Sequence, residues 1–146
     1  MTDRVYVDAN VIVYALDADA PFHGRSLGFW RSVAAGRVVA AISPQVLHEV
    51  FVALTKRVAK PLEPEIVCES LLSILETPGL QLLTAGEVAA AEALRIAAAR
   101  GTRGPAIFDV AHVAVMREHA IRTIVTFNRR HFQGYEGVEP AEPPPG

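Results

Sequence analysis

The sequence predicts an α/β protein whose mostly parallel sheet is covered on both faces by helices, and three observations predict it. Short β-branched runs alternate with longer helical patterns, the first three strands are each followed by two such patterns, and no repeat or domain linker interrupts the series. Parallel strands need crossover connections, and helices in those crossovers must lie against the sheet.

Val5 to Val7 forms the first strand. Asp8 or Asn10 caps a short helix through Leu16, which DADAPFHG then breaks. A second helix runs from about Arg25 to Ala35 and stops at Gly36. RVVAAI is the second strand. Ser43 followed by Pro44 is a helix start, a capping hydroxyl with proline at the first helical position, and that helix should run to about Val58.

KPLEP is a turn, PEIVCESLLSILE another amphipathic helix, and LQLLT the third strand. Thr84 with Glu87 has the spacing of a capping box opening an alanine-rich helix that Gly101 ends. AIFDVAHVAVMREHA is apolar on most faces and reads as a buried helix, followed by a fourth strand, TIVTF. The chain of 146 residues, 51% of them apolar, suits one compact domain over residues 1–138, with 139–146, EPAEPPPG, as a flexible tail.

The net charge of −2 excludes binding to nucleic acid or anionic membrane through bulk positive charge. A phosphate-bearing partner would require local arginines or a bound cation. Lys56 and Lys60 are the only lysines, so the basic groups are mostly fork-like guanidinium donors. Cys68 is the only cysteine, which rules out an internal disulfide and a cysteine-based zinc site and suits a reducing compartment. No stretch approaches the roughly 20 apolar residues of a membrane span, so a soluble, cytoplasmic protein is expected.

Three acids interrupt apolar sequence: Asp8 in VYVDANVIV, Glu49 in PQVLHEVFVAL and Asp109 in PAIFDVAHVAV. In parallel sheets ligands collect beyond the carboxyl ends of strands, where Asp8 stands. Each acid also has a plainer reading. Asp8 could be an ordinary helix cap, and Glu49 shares a helical face with Gln45, Val52 and Lys56 that could simply be solvated. Asp109, flanked by Ile107, Phe108, Val110 and Ala111, calls for a cation or hydrogen-bond donor nearby.

Asn10, Thr126 and Asn128 would lie beside Asp8 if the fourth strand neighbours the first; otherwise TFNRRHF is a simple turn. His112 shares a helix face with Asp109 and reads as a core histidine bonded to a neighbour. His48, His119 and His131 lack the spacing of a metal pair, which argues against histidine–zinc ligation and for oxygen ligation of Mg²⁺ or Mn²⁺.

Taken in order, VYVDANVIVYAL, SPQVLHEVFVAL and IFDVAHVAVMREHAIRTIVTFNRRHF resemble the PIN-domain ribonucleases, specifically VapC-type toxins of bacterial toxin–antitoxin pairs. The resemblance implies a three-layer α/β/α sandwich with a sheet of four or five strands. It further implies that Asp8, Glu49 and Asp109 converge on one or two divalent ions, supported by Asn10 and Thr126. The implied activity is metal-dependent hydrolysis of RNA phosphodiester bonds, with a homodimer and a VapB-type antitoxin as partners.

This chain departs from the family in having Asn128 where a fourth acid is frequent, and His131 where another acid often stands. Asn128 would then orient a water rather than add charge. Arg103, Arg129 and Arg130 are the candidate substrate rim. Two other functions are expected to compete: a metal-free PIN-like interaction module, and an aspartyl-nucleophile phosphatase. The phosphatase pattern fails at Asn10, where a second acid is needed.

Overall fold

The computed structural model describes residues 3–145. Five strands form one all-parallel sheet: β1 (Arg4–Val7), β2 (Val39–Ile42), β3 (Leu80–Leu82), β4 (Thr123–Val125) and β5 (Glu139–Ala141), in the order β3-β2-β1-β4-β5. The helices are α1 (Ala9–Leu16), α2 (His23–Ala34), α3 (Pro44–Val52), α4 (Pro64–Leu75), α5 (Glu87–Arg100) and α6 (Ile107–Glu118). Among the described residues no helix is long and apolar enough to cross a membrane.

The strand order determines where the helices lie. From β1 to β2 to β3 the chain steps in one direction across the sheet, and from β3 it jumps back over two strands to β4. Right-handed crossovers then put the helices before and after this reversal on opposite faces. In keeping with that, α1 packs on α2 and α3, α3 on α4, and α5 on α6. The reversal makes the carboxyl ends of β1 and β4 the switch point of the sheet, where ligands collect in folds of this kind.

The core follows from the apolar runs. Tyr6 and Val7 of β1, Ala40 to Ile42 of β2 and Ile124 of β4 are inaccessible to solvent, as befits central strands covered twice. Val46, Val50, Val110, Val113 and Met116 press onto them from α3 and α6.

Several local expectations are corrected. Ser43 stands at the N-cap position of α3 without capping it, because its hydroxyl is 2.8 Å from the Tyr6 hydroxyl. Thr84 and Glu87 form no capping box. Gly86 is the N-cap of α5, and the Thr84 carbonyl is held outside the helix by the His119 imidazole. The helix expected to run to about Val58 does stay helical to Arg57, but its last turn, Ala53–Arg57, is π-helical.

The proline-rich segment expected to be a tail from residue 139 opens instead as β5. An edge strand tolerates proline because only alternate backbone groups face its neighbour. Here the Glu139 amide donates to Arg122 and the Ala141 carbonyl accepts from Thr126, so Pro140 has no ladder bond to lose. Pro143 is buried, and its carbonyl accepts from Arg25.

Of the described glycines, Gly79 is the one pressed against other main chain. Its φ is +83°, and a Cβ there would sit 2.5 Å from the Val33 carbonyl oxygen. Gly79→Ala combines left-handed strain with a clash against main chain, and we expect a loss of about 2–4 kcal/mol. Urea unfolding of the variant measures it; an unchanged midpoint would show that the turn relaxes freely.

Candidate functional site

Asp8 is where the sheet becomes a site. Its amide continues the ladder by donating to the Val125 carbonyl, and its extended backbone makes it the N-cap of α1. One carboxylate oxygen, Oδ1, accepts from the Ala9 amide at 2.8 Å; the other, Oδ2, accepts from the Thr126 hydroxyl at 2.7 Å and the Asn10 amide at 3.3 Å. The ordinary cap reading is therefore true, but it uses only one of the two oxygens.

Asn10 knits the two strand ends together. Its Nδ2 also reaches Thr126 Oγ1 at 3.3 Å, and its Oδ1 accepts from the Phe127 amide at 3.2 Å. The Asn128 amide donates to Thr126 Oγ1 at 2.9 Å, while the residue itself is exposed. The fourth strand thus lies beside the first, and TFNRRHF is more than a turn.

Glu49 arrives from α3, one helical turn beyond Gln45, whose amide donates to it at 2.8 Å. His112 Nε2 from α6 lies 2.8 and 3.1 Å from its two oxygens. Asp8, Glu49 and His112 each offer a donor atom within 4.8 Å of the others. Asp109 stands outside that group, with His131 Nδ1 3.4 Å from its carboxylate.

The electrostatics separate the three acids. Burial pushes the Asp8 carboxyl above its usual range, the Thr126 hydrogen bond opposes this, and the charge of Glu49 adds to the rise. Burial likewise raises Asp109; His131 counteracts, and the charges of Asp8 and Glu49 push further up. Burial also acts upward on Glu49, but the hydrogen bond and charge of His112 and the Gln45 amide outweigh it, so Glu49 is lowered.

Asp8 and Asp109 are thus mutually repelling acids, within range of each other's charge. Among the described residues no lysine or arginine lies within 4 Å of either carboxylate. Glu49 is already partnered.

Of the residues singled out from sequence, Asp8, Asn10 and Thr126 form one hydrogen-bonded unit, Glu49 adjoins it, and Asp109 flanks it. Arg103, Arg129 and Arg130 are exposed, Arg103 before the turn that leads into α6 and the other two in the 3-10 turn after Asn128. His112 is a core histidine bonded to neighbours, as expected; that one of those neighbours is Glu49 was not legible. Tyr6, Ser43 and Gln45 were missed. Their only signal is a polar atom at a strand end or first helical turn facing an apolar interior.

A family model described as PIN domain matches residues 5–137. The chain belongs to the PIN-domain family. No curated protein matches the sequence.

Among solved structures, the Mycobacterium tuberculosis toxin VapC20, described as cleaving the sarcin-ricin loop, superposes with a TM-score of 0.67 at 21% identity, covering 93% of this chain and 99% of that one. VapBC2 from Rickettsia felis, bound to a DNA fragment of its promoter, gives 0.69 at 17% identity over 95% and 98%. FitAcB from Neisseria gonorrhoeae gives 0.68 at 20% over 95% and 97%. At these identities the likeness establishes the fold.

Proposed function

We propose that this PIN-domain protein is a divalent-metal-dependent endoribonuclease and the toxin of a toxin–antitoxin pair. The observation that carries the proposal is the buried Asp8 carboxylate, raised by burial and by like charge, at the switch point of the sheet, with Asp109 and Glu49 adding to the negative potential.

The donor set fits Mg²⁺ or Mn²⁺. Asp8 and Glu49 would supply carboxylate oxygens from the clustered group and Asp109 another from beside it, and Asp8 and Asp109 are raised in a way a cation would relieve. Such an ion supplies neutralisation of the acids, polarisation of the scissile phosphoryl group and acidification of the attacking water. Asn10 and Thr126 hold Asp8 in one orientation, and Asn128, whose main-chain N–H donates to Thr126, would orient water.

In the reaction the water oxygen bonds to phosphorus, the bridging P–O bond breaks, a carboxylate accepts the water proton and solvent protonates the departing oxygen. Arg103, Arg129 and Arg130 would steer the RNA backbone to a site that would otherwise repel it. Single-stranded or looped RNA suits such a site.

The likeness to VapBC2 supports a VapB-type antitoxin as partner; a homodimer as the assembly and the cytoplasm as the compartment are part of the same proposal. A PIN-like interaction module is the second reading, favoured by Asn128 in place of an acid and by Glu49's existing bonds to His112 and Gln45.

Purified protein incubated with end-labelled RNA in Mg²⁺, Mn²⁺ or EDTA separates the two. The nuclease predicts cleavage that EDTA abolishes and that Asp8→Ala and Asp109→Ala lose. Equal cleavage by wild type and variants would remove the assignment of the site.

A further inference from the structure

A chain of three buried polar groups runs behind Glu49. Ser43 Oγ is 2.8 Å from the Tyr6 hydroxyl, which is 2.7 Å from His112 Nδ1, and His112 Nε2 faces the Glu49 carboxylate. Tyr6 and His112 are wholly inaccessible, and Ser43 is 1% exposed. We infer that Ser43, Tyr6 and His112 are positioning residues: they seat the His112 ring with its proton on Nε2, so the imidazole orients Glu49 toward Asp8 instead of ligating a cation itself.

Geometry alone leaves two roles for His112. Its donor atom lies within 4.8 Å of those of Asp8 and Glu49, which would also suit a mixed carboxylate–imidazole ligand set. Ligation by Nε2 requires a lone pair there, with the ring proton on Nδ1. The hydrogen bonds decide between these roles.

A carboxylate only accepts, so the proton between Glu49 and Nε2 comes from the histidine. The nearby Gln45 amide cannot supply a proton to Nε2. Its two N–H groups go to Glu49 at 2.8 Å and to the Phe108 carbonyl at 2.9 Å, which leaves the 3.2 Å contact with Nε2 without a hydrogen. A neutral ring with Nε2–H then has its lone pair on Nδ1, facing the Tyr6 hydroxyl. Tyr6 donates to Nδ1 and accepts from Ser43, so every buried donor has an acceptor.

The layout gives this chain a purpose that packing does not require. Tyr6 lies on β1 two residues before Asp8, Ser43 joins β2 to α3, Glu49 is on α3 and His112 on α6. The chain therefore ties the strand that delivers one acid to the helix that delivers another. A ligating carboxylate commonly needs such a partner to hold its orientation.

This inference rests on reading Glu49 as a cation ligand, and its test separates the two. Long-range ¹⁵N–¹H NMR of the metal-free wild type, labelled in its imidazole rings, should show His112 as a single tautomer protonated on Nε2, and it should stay so when Mg²⁺ is added. Tyr6→Phe removes the hydrogen bond that seats Nδ1 while Glu49 still accepts from Nε2; the Nε2 tautomer should persist, but Mn²⁺ binding, followed by electron paramagnetic resonance, should weaken about tenfold.

Protonation on Nδ1, or the shift of a coordinated Nε2 in Mg²⁺, would overturn the positioning role while leaving the metal site standing. Unchanged Mn²⁺ affinity in Tyr6→Phe beside normal wild-type binding would do the same. Absence of Mn²⁺ binding by the wild type would instead overturn the cation reading and this role with it.

Discussion

Asp8→Asn is expected to lower metal-dependent RNA cleavage by roughly 10²- to 10³-fold, the scale of losing a charged group on which the transition state depends. The substitution isolates charge from shape. Asparagine keeps one acceptor oxygen for the Ala9 amide, so the cap of α1 survives. The Thr126 hydroxyl, now a donor to Asp8, turns to accept from the new amide, at the expense of the 3.3 Å contact from Asn10. Because a buried charge disappears as well, the melting temperature should move little. Cleavage at wild-type rate with an intact circular dichroism spectrum would eliminate Asp8 as the centre of the chemistry.

Asp109→Asn should abolish cleavage and yet stabilise the metal-free protein, by about 1 kcal/mol or ~3 °C. The folded state raises the pKa of Asp109 through burial and the charges of Asp8 and Glu49, so the folded form binds this proton more tightly than the unfolded chain does. Stability from this group is then greatest in acid and falls as pH rises from the unfolded value through the folded one.

Removing the charge recovers that loss. The gain of the variant over wild type is largest at neutral pH and vanishes below the unfolded value. Glu49 behaves oppositely: its lowered pKa contributes stability above its unfolded value that is lost in acid, and the difference between the two melting curves cancels it. With Mn²⁺ the ranking should reverse, since ligand at a hundred times its Kd stabilises wild type by about 2.7 kcal/mol. A variant less stable than wild type in EDTA would mean that Asp109 is held by structural bonds.

The acids were legible because a charge inside an apolar run is an anomaly one residue wide. The alternation of strands and helices was equally visible, and it led to a parallel sheet. What sequence could not show was which distant groups complete each acid. His112 was read as a core histidine bonded to a neighbour, but Glu49 is 63 residues from it and Tyr6 is 106.

Ser43 was misassigned as a cap because the local rule is strong and its competitor, the Tyr6 hydroxyl, sits on another strand. The tail was misassigned for a related reason. Proline-rich composition argues against a central strand, but it says little about an edge strand whose ladder bonds fall on Glu139 and Ala141.

The bond between Asp8 and Thr126 joins residues 118 positions apart. A polypeptide still leaving the ribosome displays Asp8 early but has no β4 to set beside it, so the Thr126 hydroxyl and the Phe127 amide that anchor the cluster are missing until synthesis is nearly done. Incomplete chains therefore lack the anchored carboxylate, and the cluster assembles only in a molecule whose synthesis is nearly finished.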